Sequence, residues 1–356
     1  ADNLSTSATR AIYGEFKWRL SEPLTATFNA RYDNIASKYE SYIPLTATQI
    51  AEGRVTRGEK TFNVWSERIG LNYALPDERE LYTNLSTGFR VPTLSQLYGG
   101  SITPTGSVAP NPDLHPEKSY NAELGMRAKA ELLGVPLDTD IAVFQLDRKD
   151  FILNTGGQYQ TTPGATLTNA LERYENIGGV RNRGLEAGIK TDAAQVWSAE
   201  LAYTWLRAYF TRNDQYWMAM GSRSNPLPSV HYDNTGNTVP RTPRHKLNLT
   251  TRYRPADGWT VSGEMNAQSG IYADEVNIVW VGGRTVYNLM ANYEFKGYSK
   301  MKWSAFARID NLFDHYYYST IRGGSDSDGV NGYNAEDMSI TVDPGRVWTV
   351  GASLSF

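Results

Sequence analysis

Apolar and polar residues alternate with period two along most of this chain, which restricts it to β-strands with two unlike faces. At the C-terminus Trp348, Val350, Ala352, Leu354 and Phe356 share one face, and Val347, Thr349, Gly351, Ser353 and Ser355 share the other. Trp259, Val261, Gly263, Met265 and Ala267 oppose Thr260, Ser262, Glu264, Asn266 and Gln268 in the same way. Segments 24–32, 118–129 and 245–254 follow suit, and helical periodicity is nearly absent.

Thirteen strands are predicted, at about 11–20, 24–32, 62–74, 79–89, 118–129, 137–150, 173–190, 196–210, 245–254, 259–270, 286–295, 301–313 and 346–356. Most reach about ten residues. Globular strands average ~5–6, whereas a tilted strand needs ~9–11 to cross a membrane. The connections sort by length. Ser21–Pro23, Leu75–Glu78, Thr191–Gln195, Pro255–Gly258 and Lys296–Lys300 are short; 33–61, 90–117, 151–172, 211–244, 271–285 and 314–345 are long. Outer-membrane barrels have short periplasmic turns and long extracellular loops, and a β-sandwich has no reason for such sorting. This layout sends the first and last strands the same way, with Ala1 outside and Phe356 in the periplasm. Single-chain bacterial barrels close with even strand numbers, so an odd count implies further strands upstream.

Composition is compatible with this reading. The 23 Tyr and 9 Trp suit the aromatic girdles of a membrane barrel, although a Tyr-rich soluble β protein would share them. No apolar run approaches the ~18 residues of a transmembrane helix, and a barrel needs none. The 35 basic and 38 acidic residues leave a net charge of −3, which argues against a nucleic-acid partner. Cysteine is absent, which removes disulfides, thiolate metal sites and a Cys nucleophile.

The less apolar face carries both signs of charge: Glu15, Lys17 and Arg19; Glu123, Arg127 and Lys129; Glu186 and Lys190; Lys302, Arg308 and Asp310. Facing lipid, a midplane Arg or Lys costs ~2–4 kcal/mol; facing a wet lumen it costs little. Catalysis finds little support. The four histidines, His115, His231, His245 and His315, are scattered, and neither HExxH, GxSxG nor a phosphate loop is present. The polar run 323–337 lacks the spacing of a calcium loop. No resident metal or cofactor and no enzymatic activity are expected.

Several motifs narrow the reading further. GFRVPTLSQLYGG at 88–100 precedes NPDLHPEKSYNAELGMR at 111–127; then come YENIGGVRNRGLEAGIK at 174–190, VPRTPRHKLNL at 239–249, ARIDNLFDHYYY at 307–318 and the terminal GRVWTVGASLSF. In this order the chain resembles the C-terminal part of the barrel of TonB-dependent receptors. Phe89, Arg90, Pro92, Asn111, Pro112, Leu114, Asn311 and Phe356 carry the resemblance. Pro92 and Pro112 stiffen the ends of a long loop. Gly178, Gly179 and Gly184 permit a bulge, and Asn311 and Asp314 suit a turn.

The resemblance implies an all-β, antiparallel transmembrane barrel of which this chain supplies about thirteen of 22 strands, with the plug domain and early strands absent. It implies a monomer in the outer membrane of a Gram-negative bacterium, in contact with lipid. Coupling to the TonB complex would run through a segment not visible here. The substrate would be a small-molecule metal chelate, most commonly a ferric siderophore. Haem receptors of this family carry a His between the two loop motifs, and Thr93–Pro110 has none. Vitamin B12, a sugar, a quinone cofactor or haem are the alternatives within this class. A passive porin or an outer-membrane hydrolase are alternatives outside it. Substrate contacts are expected on aromatic and cationic loop or rim residues: Tyr98, Arg207, Tyr209, Tyr216, Trp217, Trp280, Arg284, Tyr317 and Arg322.

Overall fold

The computed structural model describes residues 3–51, 53–99, 108–154, 172–213, 216–218, 221–222, 225–226, 230–295, 302–322 and 339–355. Thirteen long strands follow one another as an antiparallel meander. They are β1 (Asn3–Arg19), β2 (Leu24–Ser41), β3 (Arg57–Leu75), β4 (Arg79–Arg90), β5 (Glu117–Leu132), β6 (Val135–Asn154) and β7 (Glu172–Thr191). After these come β8 (Trp197–Arg212), β9 (His245–Tyr253), β10 (Trp259–Gln268), β11 (Arg284–Phe295), β12 (Lys302–Asp310) and β13 (Val347–Ser355). Every long strand pairs only with its neighbours in sequence among the long strands, and β1 and β13 do not pair with each other. The two run in the same direction, so Asn3 and Ser355 lie at opposite ends of the sheet. Ala1 and Phe356 lie outside the described residues.

The thirteen predicted strands are all present, but the early ones are longer than their sequence pattern suggests. β1 begins at Asn3, β2 runs on to Ser41 and β3 starts at Arg57, so the expected loop 33–61 shrinks to 42–56. Asp33, Asn34, Ser37 and Lys38 break the apolar alternation, yet a ladder needs only backbone groups, and Asn34↔Asn63 and Lys38↔Glu59 remain in register. The short turns are tight. Asp77 and Glu78 have φ of 60° and 54°, and Leu133 and Gly134 have 52° and 78°. Leu133 and Gly134 close a two-residue hairpin between Leu132 and Val135, where positive φ at both loop residues matches strand twist; Pro76–Glu78 form a three-residue loop between Leu75 and Arg79. The glycine-rich part of β7 does carry a bulge, with register shifts at Gly179/Val180 and opposite Phe151.

Register assigns the faces. Leu124, Val143, Leu185 and Trp205 form one row across β5 to β8, and all lie on the same side of the sheet. Ile12, Phe16, Trp18, Trp65, Leu85, Trp303, Trp348 and Val350 share that side and are exposed, Ile12 at 71% and Val350 at 81%. A continuous exposed apolar face of this extent is out of place in water and suits lipid. Stacked or tilted aromatic pairs mark the short-turn end of this face: Trp197–Tyr253 at 4.1 Å and Trp259–Tyr293 at 4.8 Å between ring centroids. The opposite face carries the charges named in the sequence analysis, as expected. Arg308 bonds Asp310 at 2.7 Å and Glu264 at 3.2 Å, and Arg127 bonds Asp140 at 3.0 Å.

Among the described residues, tightly packed apolar clusters occur only at the long-loop end. Tyr39, Phe62, Leu97, Tyr98, Leu114 and Ile152 form one; Ile271, Ala273, Val279 and Ile321 form the other.

Candidate functional site

The long-loop end is built from the motifs read in the sequence. After β4 the chain forms a short helix, α1 (Leu94–Tyr98), capped by Thr93, whose side chain accepts from Gln96 N while Gln96 bonds back to Thr93 N. Leu97 and Leu114 are buried at 0% and 1% exposure, and Pro92 is buried with them. Asn111 is buried and ties three segments together: its N–H donates to Leu97 O at 2.7 Å, its Nδ2 to Tyr174 O at 2.6 Å, and its Oδ1 accepts from Asp113 N. Pro112 is exposed, and its carbonyl accepts from Lys60 Nζ at 2.7 Å. Arg90 and Arg148 both donate to the buried Glu117 carboxylate, Arg148 at 2.9 Å, and Ile152 N donates to it at 2.9 Å. Phe89 points to the outward side, in register with Lys118. Asn311 sits at φ 53° and brackets His315 with two 2.9 Å hydrogen bonds. Asp314, at φ 55°, accepts from Arg346 N at 2.8 Å, as a turn residue should. These family-motif residues therefore fix the loops at this end, and of them Asn311 lines the first of the clefts there. The motif residue Phe356 lies outside the described residues.

Two adjoining clefts, of about 700 and 520 Å³, open on the charged face at this end and share Lys246, Gln268, Arg284 and Tyr317. Arg284 opens β11; its guanidinium lies 4.5 Å from the Tyr317 ring centre and donates to Tyr318 O at 2.7 Å. Such a cation–π contact holds the guanidinium while leaving other N–H groups to a ligand. Burial pushes the Tyr317 hydroxyl up to about 12, with the neighbouring Asp343 carboxylate acting in the same direction. It therefore stays a neutral phenol at physiological pH. Arg241 and His315 line the second cleft. The arrangement offers cations, amides and aromatic faces, which is binding chemistry.

Of the nine expected contact residues, the structure brings Arg284 and Tyr317 together in these clefts. Trp280 is exposed nearby and meets Tyr272 edge-on at 5.0 Å. Tyr216 and Trp217 lie on a short strand paired with 230–232, and Arg322 on one paired with 339–342; their side chains lie outside the described positions. Three residues depart from expectation. Tyr98 is buried against Tyr39, with ring centres 6.0 Å apart, so it packs the loop and presents no face to a ligand. Arg207 and Tyr209 lie on the outward side in phase with Tyr203 and Trp205, away from the clefts, because side chains alternate strictly along β8. Lys246, Arg241, Glu117 and Asp343 escaped the sequence reading. Glu117 was visible in HPEKS, but its two arginine partners come from other strands.

Comparison with known proteins follows the same lines. A family model described as "TonB dependent receptor-like, beta-barrel" matches residues 1–312. The probable TonB-dependent siderophore receptor PiuA of Acinetobacter baumannii is 23% identical over 282 residues, which is 79% of this chain and 34% of that protein. TonB-dependent heme receptor A of Haemophilus ducreyi is 24% identical over 209 residues, 55% of this chain and 28% of that protein. The ferric yersiniabactin uptake receptor of Yersinia pestis superposes with a TM-score of 0.62 at 20% identity, covering 99% of this chain and 46% of its own. The chain thus spans about a third or less of the length of the curated relatives it matches.

Proposed function

The chain belongs to the TonB-dependent receptor-like β-barrel family, whose members are receptors and transporters and not enzymes, and on that premise we propose that it forms much of the wall and mouth of an outer-membrane receptor importing a ferric siderophore or similar metal chelate. The observation that carries the substrate class is the Arg284–Tyr317 pair, 4.5 Å apart beside Lys246 at the long-loop end. A guanidinium over an aromatic ring, with an ammonium lining the same cleft, suits an anionic, partly aromatic chelate. The similar proteins support iron uptake, a siderophore receptor and a haem receptor among them.

Transport in this reading needs more than these strands. β1 and β13 each present an unpaired edge, and each unsatisfied backbone group in hydrocarbon costs several kcal/mol. Further strands, completing a 22-strand barrel around a plug that couples to TonB, would satisfy those edges; such a receptor is expected to act as a monomer.

The test is binding of a panel of ferric siderophores, vitamin B12 and haem to the purified full receptor, read by tryptophan fluorescence. Arg284→Ala should weaken the chelate that binds by about tenfold, the loss expected for one charge-assisted contact. An Arg284→Ala receptor that binds every chelate as the wild type does would remove this assignment of the site.

A further inference from the structure

Outward side chains should stay apolar up to the membrane surface, and across β5 to β8 they change character within one row. Met126, Ile141, Ala187 and Tyr203 make one row, and Leu124, Val143, Leu185 and Trp205 the next. The row above holds Ala122, Gln145, Arg183 and Arg207; the following one holds Tyr120, Asp147, Arg181 and Tyr209; Lys118 and Lys149 face each other above that. Two cation–cation pairs are therefore directly opposite, Arg183↔Arg207 and Lys118↔Lys149. Like charges in that position destabilise a sheet.

Among the described residues no carboxylate forms an ion pair with any of these four cations. Asp147, the carboxylate in these rows, is taken by Arg181 at 2.5 and 3.1 Å. Arg183 donates to the Tyr209 hydroxyl at 2.6 Å, and its Nε is buried with no hydrogen-bond partner among the described residues. Both Arg183 and Arg207 lie against the Tyr209 ring, at 5.6 and 5.2 Å, and Lys149 lies 5.3 Å from the Tyr120 ring. The two guanidinium groups are thus held on an aromatic plate, side by side, just above the apolar belt.

We propose that this outward patch binds the phosphate-bearing headgroup of an outer-leaflet lipid, with Arg183 and Arg207 clamping one phosphate and Lys118 and Lys149 attracting a second. The proposal rests on the reading of this face as membrane wall. Paired guanidiniums match a phosphate bidentately, and a lipid reaching this patch lays its chains on the apolar row of Leu124, Val143, Leu185 and Trp205 below.

The test titrates the detergent-purified full receptor with diphosphoryl lipid A and with its dephosphorylated form, reading bound lipid by native mass spectrometry. Wild type and the inward-facing control Lys190→Gln should bind the phosphorylated lipid alike. The Arg183→Gln/Arg207→Gln double variant should bind it about tenfold or more weakly, and should no longer distinguish the two lipids. Circular dichroism should show the same strand content in all three. Equal binding by the double variant, or equal binding of both lipids by the wild type, would overturn the proposal. So would competition by inorganic phosphate at concentrations matching the lipid, which would make the patch a free-anion site. The membrane reading is checked separately by the insertion asymmetry of Leu354 and Ser353 described below; that asymmetry surviving a loss of lipid discrimination would fault the headgroup site alone.

Discussion

At the scale of single residues, the fate of a side chain follows from which face of a strand it occupies. Leu354 faces outward in register with Trp303, whereas Ser353 faces inward, its hydroxyl 2.7 Å from that of Ser304. Leu354→Arg should therefore impair membrane insertion far more than Ser353→Arg, by a depth-dependent amount up to ~2–4 kcal/mol. Heat-modifiable migration of the folded barrel on gels reads this out, and equal effects would show that the assignment of inward and outward faces is wrong. The same rule explains which site residues were legible. Arg284 and Tyr317, expected from type and loop position, line the two clefts. Arg207 and Tyr209, expected from type alone, lie outward, as the phase of Leu201, Tyr203 and Trp205 already implies. Tyr98 looked available because nothing local in the sequence shows that Tyr39 and Phe62, from other strands, cover it.

At the scale of elements, the segment between β4 and β5 shows how a long loop gains a fixed shape. Its α1 is too short to persist alone; the capping box, the Asn111 bonds and a buried Leu97 hold it. Leu97→Ala should cost about 2–5 kcal/mol of local stability, as a cavity in a packed cluster does. Limited proteolysis should then cut within 91–116 at protease levels that leave the wild type intact; unchanged resistance would mean that the cluster does not hold the loop. Thr93 and Gln96 spell a capping box that the sequence reading passed over. The upper halves of β2 and β3 were not legible, because Ser37, Lys38 and Glu59 keep their pairing without any apolar alternation to announce it.

At the scale of the whole molecule, the strand count, order, direction and sorting of turns were all readable, since each follows from period-two patterning over spans longer than a globular strand. What the sequence could not supply was the assembly of the mouth, where Lys246, Arg284, Tyr317 and Asp343 arrive from four separate segments. The central claim is that this sheet is a wall with lipid on one side and water on the other. The chain has no cysteine, so single cysteines can be introduced one at a time along β10 (Trp259–Gln268) of the full receptor in outer membranes. A membrane-impermeant maleimide should label cysteines at Ser262, Glu264 and Asn266, and spare those at Val261, Gly263 and Met265, which a lipid-soluble maleimide should reach. Labelling without a two-residue period, or with the period reversed, would contradict the account.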